Sequence, residues 1–85
     1  MGVSPEDDMD YKQILADIAR AIVDTPDSVA VTEQVEGDQI ELTLSVAPDD
    51  MGMVIGRHGK IAKAIRSLMK AAATREGKHI IVEIR

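Results

Sequence analysis

Residues 56 to 59, Gly-Arg-His-Gly, set two side chains able to carry positive charge between two glycines. Glycine adopts positive φ without strain and lacks the Cβ that would hold a ligand away from the main chain. A helical pattern begins at Lys60, so the loop opens onto a helix N-terminus, where outward N–H groups and the dipole favour an anion such as phosphate. Lys60 and Lys63 fall at the start of that helix, where cations oppose the dipole. A bound polyanion would offset the cost, and a local conflict of this kind is expected at a working site. As a bare pattern Gly-x-x-Gly is common. The bland alternative is a joint between two helices with its charges simply solvated.

Other chemistries fail on spacing or on residue type. A nucleotide-phosphate loop needs four residues between its glycines and a hydroxyl after Gly-Lys, but two residues separate Gly56 from Gly59, and Ile61 follows Lys60. A dinucleotide fingerprint needs a preceding strand, and Gly52, Gly56 and Gly59 follow a helix-like stretch with spacings of four and three. His58 and His79 stand in a loop and at a strand start without a neighbouring ligand cluster. Asp49-Asp50 reads as a helix cap, since adjacent side chains point apart. There is no cysteine, which removes disulfides and thiolate nucleophiles and suits a reducing compartment. No catalytic residue, metal or cofactor is expected, and the chain does not read as an enzyme.

The elements that must position the loop come from a single small domain of 85 residues. Apolar residues make up 45% of the chain, almost all aliphatic, and Tyr11 is the one aromatic. Stacking platforms for bases are therefore not expected. The net charge of −5 argues at first against a nucleic-acid partner. Its distribution argues the other way: residues 1–50 hold 13 acidic and 2 basic side chains, residues 51–85 hold 2 acidic and 8 basic. A basic working face set against an acidic remainder follows. No apolar run approaches the roughly 20 residues that span a bilayer, and the acidic start lacks the regions of a signal peptide. A soluble cytoplasmic protein is expected.

Residues 1–9 read as a disordered acidic leader and residues 10–85 as the folded domain. Tyr11, Ile14, Leu15, Ile18 and Ile22 recur at helical spacing, and the helix ends before Thr25-Pro26. Val29, Val31 and Val35, a turn at Gly37, and the alternation of Ile40, Leu42, Leu44 and Val46 with polar residues predict a β-hairpin. Pro48 ends it, with Asp49-Asp50 offering an N-cap for a short helix over Met51 to Ile55. A long helix follows from Lys60 to about Arg75. Its apolar arc comprises Ile61, Ile65, Leu68, Met69 and Ala72, with Lys60, Lys63, Arg66 and Lys70 opposite. Glu76-Gly77 stops it, and His79 to Ile84 is a last strand. The order αββααβ implies an α+β layer, with helices packed on one face of a three-stranded sheet.

"VIGRHGKIAKAI", residues 54–65, resembles the signature of KH domains, in which Ile-Gly-x-x-Gly precedes a helix with spaced apolar residues. The order αββααβ is that of the bacterial, type II KH fold. From about residue 9 to 84 the chain is similar throughout to the small bacterial RNA-binding proteins that consist of a single KH domain.

The resemblance implies binding of single-stranded RNA, with the loop clamping the backbone while about four nucleotides lie in an adjoining groove. It implies that Gly56 and Gly59 allow close approach, that Arg57 and His58 meet phosphates, and that the helix carrying Lys60 and Lys63 forms one wall. Val54, Ile55 and Ile61 are candidates for an aliphatic floor, although some of them must also serve the core. It also implies an RNA chaperone or post-transcriptional regulator that self-associates as a homodimer and joins a second RNA-binding protein of the Jag type. Met53 and His58 depart from the family, where a basic residue and Gln or Lys are usual. On this reading Gly56→Asp with Gly59→Asp abolishes RNA retention and leaves the fold intact. The rival is a protein-interaction module of the same fold in which RNA binding is secondary, with Met51, Met53 and Met69 as a flexible contact, although Met69 on the apolar arc of its helix suits the core better.

Overall fold

The computed structural model describes residues 10–85, so the acidic leader over residues 1–9 lies outside the described residues. Helix α1 covers Tyr11–Ile22, strand β1 Ala30–Glu36, strand β2 Gln39–Ser45, helix α2 Met51–Ile55, helix α3 Lys60–Arg75 and strand β3 His79–Ile84. This is the αββααβ order that the hydrophobic pattern predicts. The first helix starts with Asp10 as its N-cap, whose side chain accepts from the Gln13 N–H at 3.1 Å. Among the described residues no helix is long and apolar enough to cross a membrane.

The sheet runs β1-β2-β3, with β1 antiparallel and β3 parallel to the central β2. The hairpin turns on Gly37 and Asp38, between the paired Glu36 and Gln39. Gly37 has φ +60 in the first turn position, where a tight hairpin of right-handed twist wants glycine. Pairing places Val31, Leu44 and Ile84 on one face, with Ile40 and Ile80, and Leu42 and Val82, alongside them. The opposite face carries Thr32, Gln34, Glu36, Glu41, Thr43 and Glu83 and stays in water, as the alternation along β2 requires. Val35 shares the core face but lies beyond the reach of α1 at the hairpin end, and is 61% exposed.

The helices bury their apolar arcs on the covered face. Tyr11, Leu15, Ala16 and Ala19 of α1, Val54 of α2 and Ile65, Met69 and Ala73 of α3 form one cluster with Leu42, Leu44 and Val82. Each fully buried aliphatic side chain contributes about 1.5–3 kcal/mol. Two polar contacts fasten the helices end to end. The Tyr11 hydroxyl donates to Glu76 Oε1 at 2.5 Å, tying the start of α1 to the segment after α3. Asp50, 2% exposed, accepts the Thr25 N–H on Oδ2 at 2.9 Å. Asp50 occupies the N-cap position of α2, yet its side chain makes no cap bond there. The expected cap is instead a tether between the α1–β1 connection and α2.

The apolar arc of α3 differs from the expected one. Ala62, Ile65, Met69 and Ala73 are buried, whereas Leu68 is 59% and Ile61 37% exposed. The helix is rotated so that alanines meet the neighbouring elements, and the larger Leu68 turns outward. This contrast is testable in dilute protein by urea denaturation. Met69→Ala is expected to cost about 2–5 kcal/mol, the range for emptying a filled core site. Leu68→Ala should stay within about 0.5 kcal/mol, as for surface positions. Equal losses would put Leu68 in the core instead.

Candidate nucleic-acid interface

Helix α2 has only five residues, and its end is closed by the Gly56 N–H donating to the Gly52 carbonyl at 2.8 Å. Gly56 then adopts φ 74, ψ 173, a region open essentially to glycine alone. A Cβ at this position would lie 2.6 Å from Cγ1 of Ile61. Gly56 is therefore glycine for two reasons, its backbone angle and the side chain of Ile61 laid against it. That contact closes the corner between α2 and α3.

Residues Arg57–Gly59 make one tight turn before α3. His58 departs from it at φ 58, ψ 24, and Gly59 follows at φ 73, ψ 15. A right-handed residue followed by a left-handed one turns successive N–H groups to the same side, forming a concave nest suited to an anion. The glycine amides take little part in it. Gly59 N–H is bonded to the Gly56 carbonyl at 3.1 Å, and Gly56 N–H to Gly52. Among the described residues the amides of Arg57 and His58 have no main-chain partner, so the open donors belong to the two residues between the glycines. A left-handed backbone costs a non-glycine residue about 1–2 kcal/mol, and such strain concentrates at functional sites.

The long helix carries three sectors. Its buried arc is Ala62, Ile65, Met69 and Ala73. At ~100° per residue, Arg66, Lys70 and Lys63 fall to one side of that arc, forming a ridge three and four residues apart. Ile61 and Leu68 fall to the other side. The ridge faces β3, because Arg66 Nε donates to the Val82 carbonyl at 3.2 Å. Arg57, Lys60, Lys63, Arg66 and Lys70 are all exposed, and among the described residues none of them forms an ion pair. Five unneutralised cations thus run from the nest along one helix. The acidic side chains sit elsewhere: two shallow depressions of about 460 Å³ on the open sheet face are lined by Glu36, Glu41 and Glu83 among others. Among the described residues no group of His, Asp and Glu is placed to hold a metal ion.

Of the candidate site residues, Arg57, His58, Lys60 and Lys63 are exposed around the turn, and Gly56 and Gly59 are half-buried within it. Val54 is corrected: it is fully buried at 0% exposure in the shared core and has no surface to offer a ligand. Ile55 is half-buried and packs on that core. Ile61 lies on the flank of α3 away from the cationic ridge, against Gly56. Met69, considered as a surface contact, is 1% exposed and belongs to the core. Arg66 was not among the candidates. Its spacing of three from Lys63 placed it on the basic face, but its bond to β3 is invisible without the third dimension.

A short helix, a glycine-bounded turn and a long cationic helix, inserted between parallel strands of a three-stranded sheet, define a KH domain. Comparison with known proteins agrees. The family model for the KH domain of KhpA/KhpB matches residues 12–84. The chain is 55% identical over 73 residues to the RNA-binding protein KhpA of Clostridium acetobutylicum, covering 86% of this chain and 97% of that protein. It is 47% identical to the protein of that name from Halalkalibacterium halodurans, over 86% of this chain and 96% of the relative. For the one from Treponema pallidum the identity is 45%, over 86% and 91%. The chain belongs to the KhpA/KhpB family of KH domains.

The two glycines should respond differently to substitution. Nothing lies within 4 Å of a Cβ built on Gly59, so Gly59→Ala should lose only the left-handed penalty of about 1–2 kcal/mol. Gly56→Ala should lose clearly more, since backbone strain of about 1–3 kcal/mol adds to overpacking of a similar ~1–3 kcal/mol. Adding Ile61→Ala should recover only part of the overpacking share, because the remaining Cβ at position 61 would still lie 2.9 Å from the added one. Equal losses for the two glycines in chemical denaturation would contradict this assignment. Gly56→Asp is therefore no neutral probe of binding, and the expectation that it leaves the fold intact is withdrawn.

Proposed function

We propose that the chain binds single-stranded RNA through the nest at Arg57-His58 and the cations of α3, without catalysis, as an RNA chaperone or post-transcriptional regulator. The observation that carries this reading is the run of five unpaired cations continuous with the open main-chain donors of residues 57 and 58. Phosphates fit both features, and a flexible strand can follow the helix from one to the other. Relatives bearing the name RNA-binding protein KhpA support the same class of ligand. The open face of the sheet, lined by Glu36, Glu41 and Glu83, repels a polyanion and confines it to the helical side.

A second reading concerns assembly, and the exposed pair Ile61 and Leu68 favours it. Spaced seven apart on the flank away from the ridge, they offer an apolar stripe to a second copy or to a partner of the Jag type. The family's double name, KhpA/KhpB, is consistent with paired proteins. The two readings are compatible, since they use different flanks of α3.

Arg57→Asp with His58→Asp tests the RNA reading without touching either glycine. Aspartate tolerates the left-handed backbone at position 58 better than most residues. Binding to a fluorescent single-stranded RNA should be lost while the circular dichroism stays as in wild type. For the wild-type protein, about four neutralised phosphates predict a slope near −3 for log affinity against log salt, at ~0.7 per contact. Unchanged affinity in the double variant would remove the nest from the site. Leu68→Glu should lower self-association in sedimentation and, at concentrations where the wild type is also monomeric, leave RNA affinity unchanged.

A further inference from the structure

We propose that the free edge of β1 is a docking site for an extended, basic segment of a partner protein, added to the sheet as a fourth strand. The sheet ends at β1 on one side and at β3 on the other. The β3 edge is closed at its middle, where the Val82 carbonyl accepts from Arg66 Nε at 3.2 Å. β1 has no such cover, and six of its seven residues are exposed. The two-residue turn at Gly37-Asp38 makes Glu36 and Gln39 a bonded pair, and bonded pairs alternate along an antiparallel ladder. Thr32, Gln34 and Glu36 therefore bond to β2, while Val31, Glu33 and Val35 turn their N–H and C=O groups outward. Among the described residues none of those six groups has a partner outside the strand. An added strand takes them all up, which is the main-chain part of recognition by strand addition.

The side chains along the edge define the occupant. Register puts Val31, Glu33 and Val35 on the covered face, opposite Leu44, Leu42 and Ile40. Val35 is 61% exposed. Beside Val31 a depression of about 350 Å³ opens between the strand and the flank of α1 at Ala16 and Arg20. Its charged lining balances, since Lys12 stands with Asp10 and Arg20 is paired with Asp17 at 3.7 Å. An incoming strand meets this row at every second residue. It needs an apolar side chain at Val31, a charge at Glu33 and a second apolar side chain at Val35. Glu33 and, on the open face, Glu36 form no ion pair among the described residues, so lysine or arginine is the complement. A second copy of this chain is the wrong occupant. Two β1 strands paired antiparallel about their centres match Val31 with Val35 but set Glu33 against its own copy, and like charges directly opposite destabilise a sheet. Glu33 thus guards the edge against identical strands and selects a basic one. The β3 side, with Arg66, lies two strand spacings away, ~10 Å, so strand docking does not depend on the RNA reading.

The test titrates the isotope-labelled full chain, followed by NMR, with synthetic peptides of blocked ends up to millimolar concentration. The first is Lys-Val-Thr-Lys-Thr-Val-Thr, which in antiparallel register sets lysines against Glu36 and Glu33 and valines against Val35 and Val31. The second has glutamate for both lysines, and the third is the first with its central lysine N-methylated on the main chain. The lysine peptide should slow amide exchange at Val31, Glu33 and Val35 by about tenfold at ~90% occupancy, while Thr32 and Gln34, already bonded to β2, change little. The glutamate peptide should bind about tenfold more weakly. N-methylation removes the central donor and should abolish binding. Glu33→Lys with Glu36→Lys should reverse the order of the first two peptides, and the comparison of peptides on the unaltered chain needs no variant to fold. Equal affinity for the lysine and glutamate peptides, binding that survives N-methylation, shifts that map to α3 instead of β1, or no binding at all overturns the proposal. So does concentration-dependent protection of the three amides in the chain alone, which would make the occupant a second copy.

Discussion

The parallel pairing of β2 with β3 is the constraint on which the rest of the arrangement depends. Two neighbouring parallel strands cannot be joined by a hairpin, because the chain must first travel back along the full length of the sheet. Here α3 makes that return. Its 16 residues span about 24 Å, enough to retrace the roughly 20 Å of a six-residue strand. The chain leaving β2 must therefore reverse direction between Ser45 and Lys60, through the turn at Pro48, α2 and the turn after it. Four residues join the two helices, and two of them are glycines. One stands in a backbone region closed to other residues. The tight corner thus follows in part from topology, and the charges around it are those the proposed RNA grip would use.

The corner is held rather than loose. Ile61 rests on Gly56 where a side chain would otherwise be, and Gly59 bonds back to Gly56, so the strained His58 has little freedom to relax. Strain in a left-handed histidine persists only where its surroundings over-determine it. The Gly56 packing and the Gly59 hydrogen bond supply that determination from both sides. A preformed nest loses less entropy on meeting a phosphate than a loop that must order first. At the far end of α3, Gly77 at φ +72 closes the helix while Lys78 N–H reaches the Ala73 carbonyl at 2.9 Å. Tyr11 holds the adjoining Glu76. The long helix is accordingly fixed at both ends and along its buried arc.

Much of this was legible in the residue pattern, and the exceptions share a cause. Alternation along β2, the helical spacing in α1 and the glycines of the turn are local signals, and each element they define is present. What local signals do not carry is rotation of a helix about its axis. Hydrophobicity alone favoured Ile61 and Leu68 over Ala62 and Ala73 for the core, yet close approach of α3 to its neighbours selects small residues there. The spacing of Ala62, Ile65, Met69 and Ala73 was the signal available, and it competes with a larger apolar moment on the next flank. Val54 was misread for a similar reason: of the adjacent pair Val54 and Ile55, only packing decides which faces inward. Asp50 looked like a helix cap because its partner, Thr25, is 25 residues away in the chain.

That rotation has a functional consequence. Had α3 buried Ile61 and Leu68, its exposed surface would be almost wholly cationic and polar, and a protein partner would have to compete with RNA for it. With alanines inward, the buried arc separates an apolar flank from a cationic one. A second copy seated on Ile61 and Leu68 leaves Lys63, Arg66 and Lys70 in water on the outer side. Few phosphate contacts make one domain a weak, salt-sensitive binder. Two ridges joined through the apolar flank would engage one strand at a raised effective concentration, strengthening binding without any new contact. On the proposed reading, the same turn of the helix about its axis would separate gripping RNA from joining a partner, and would leave each flank open while the other is in use.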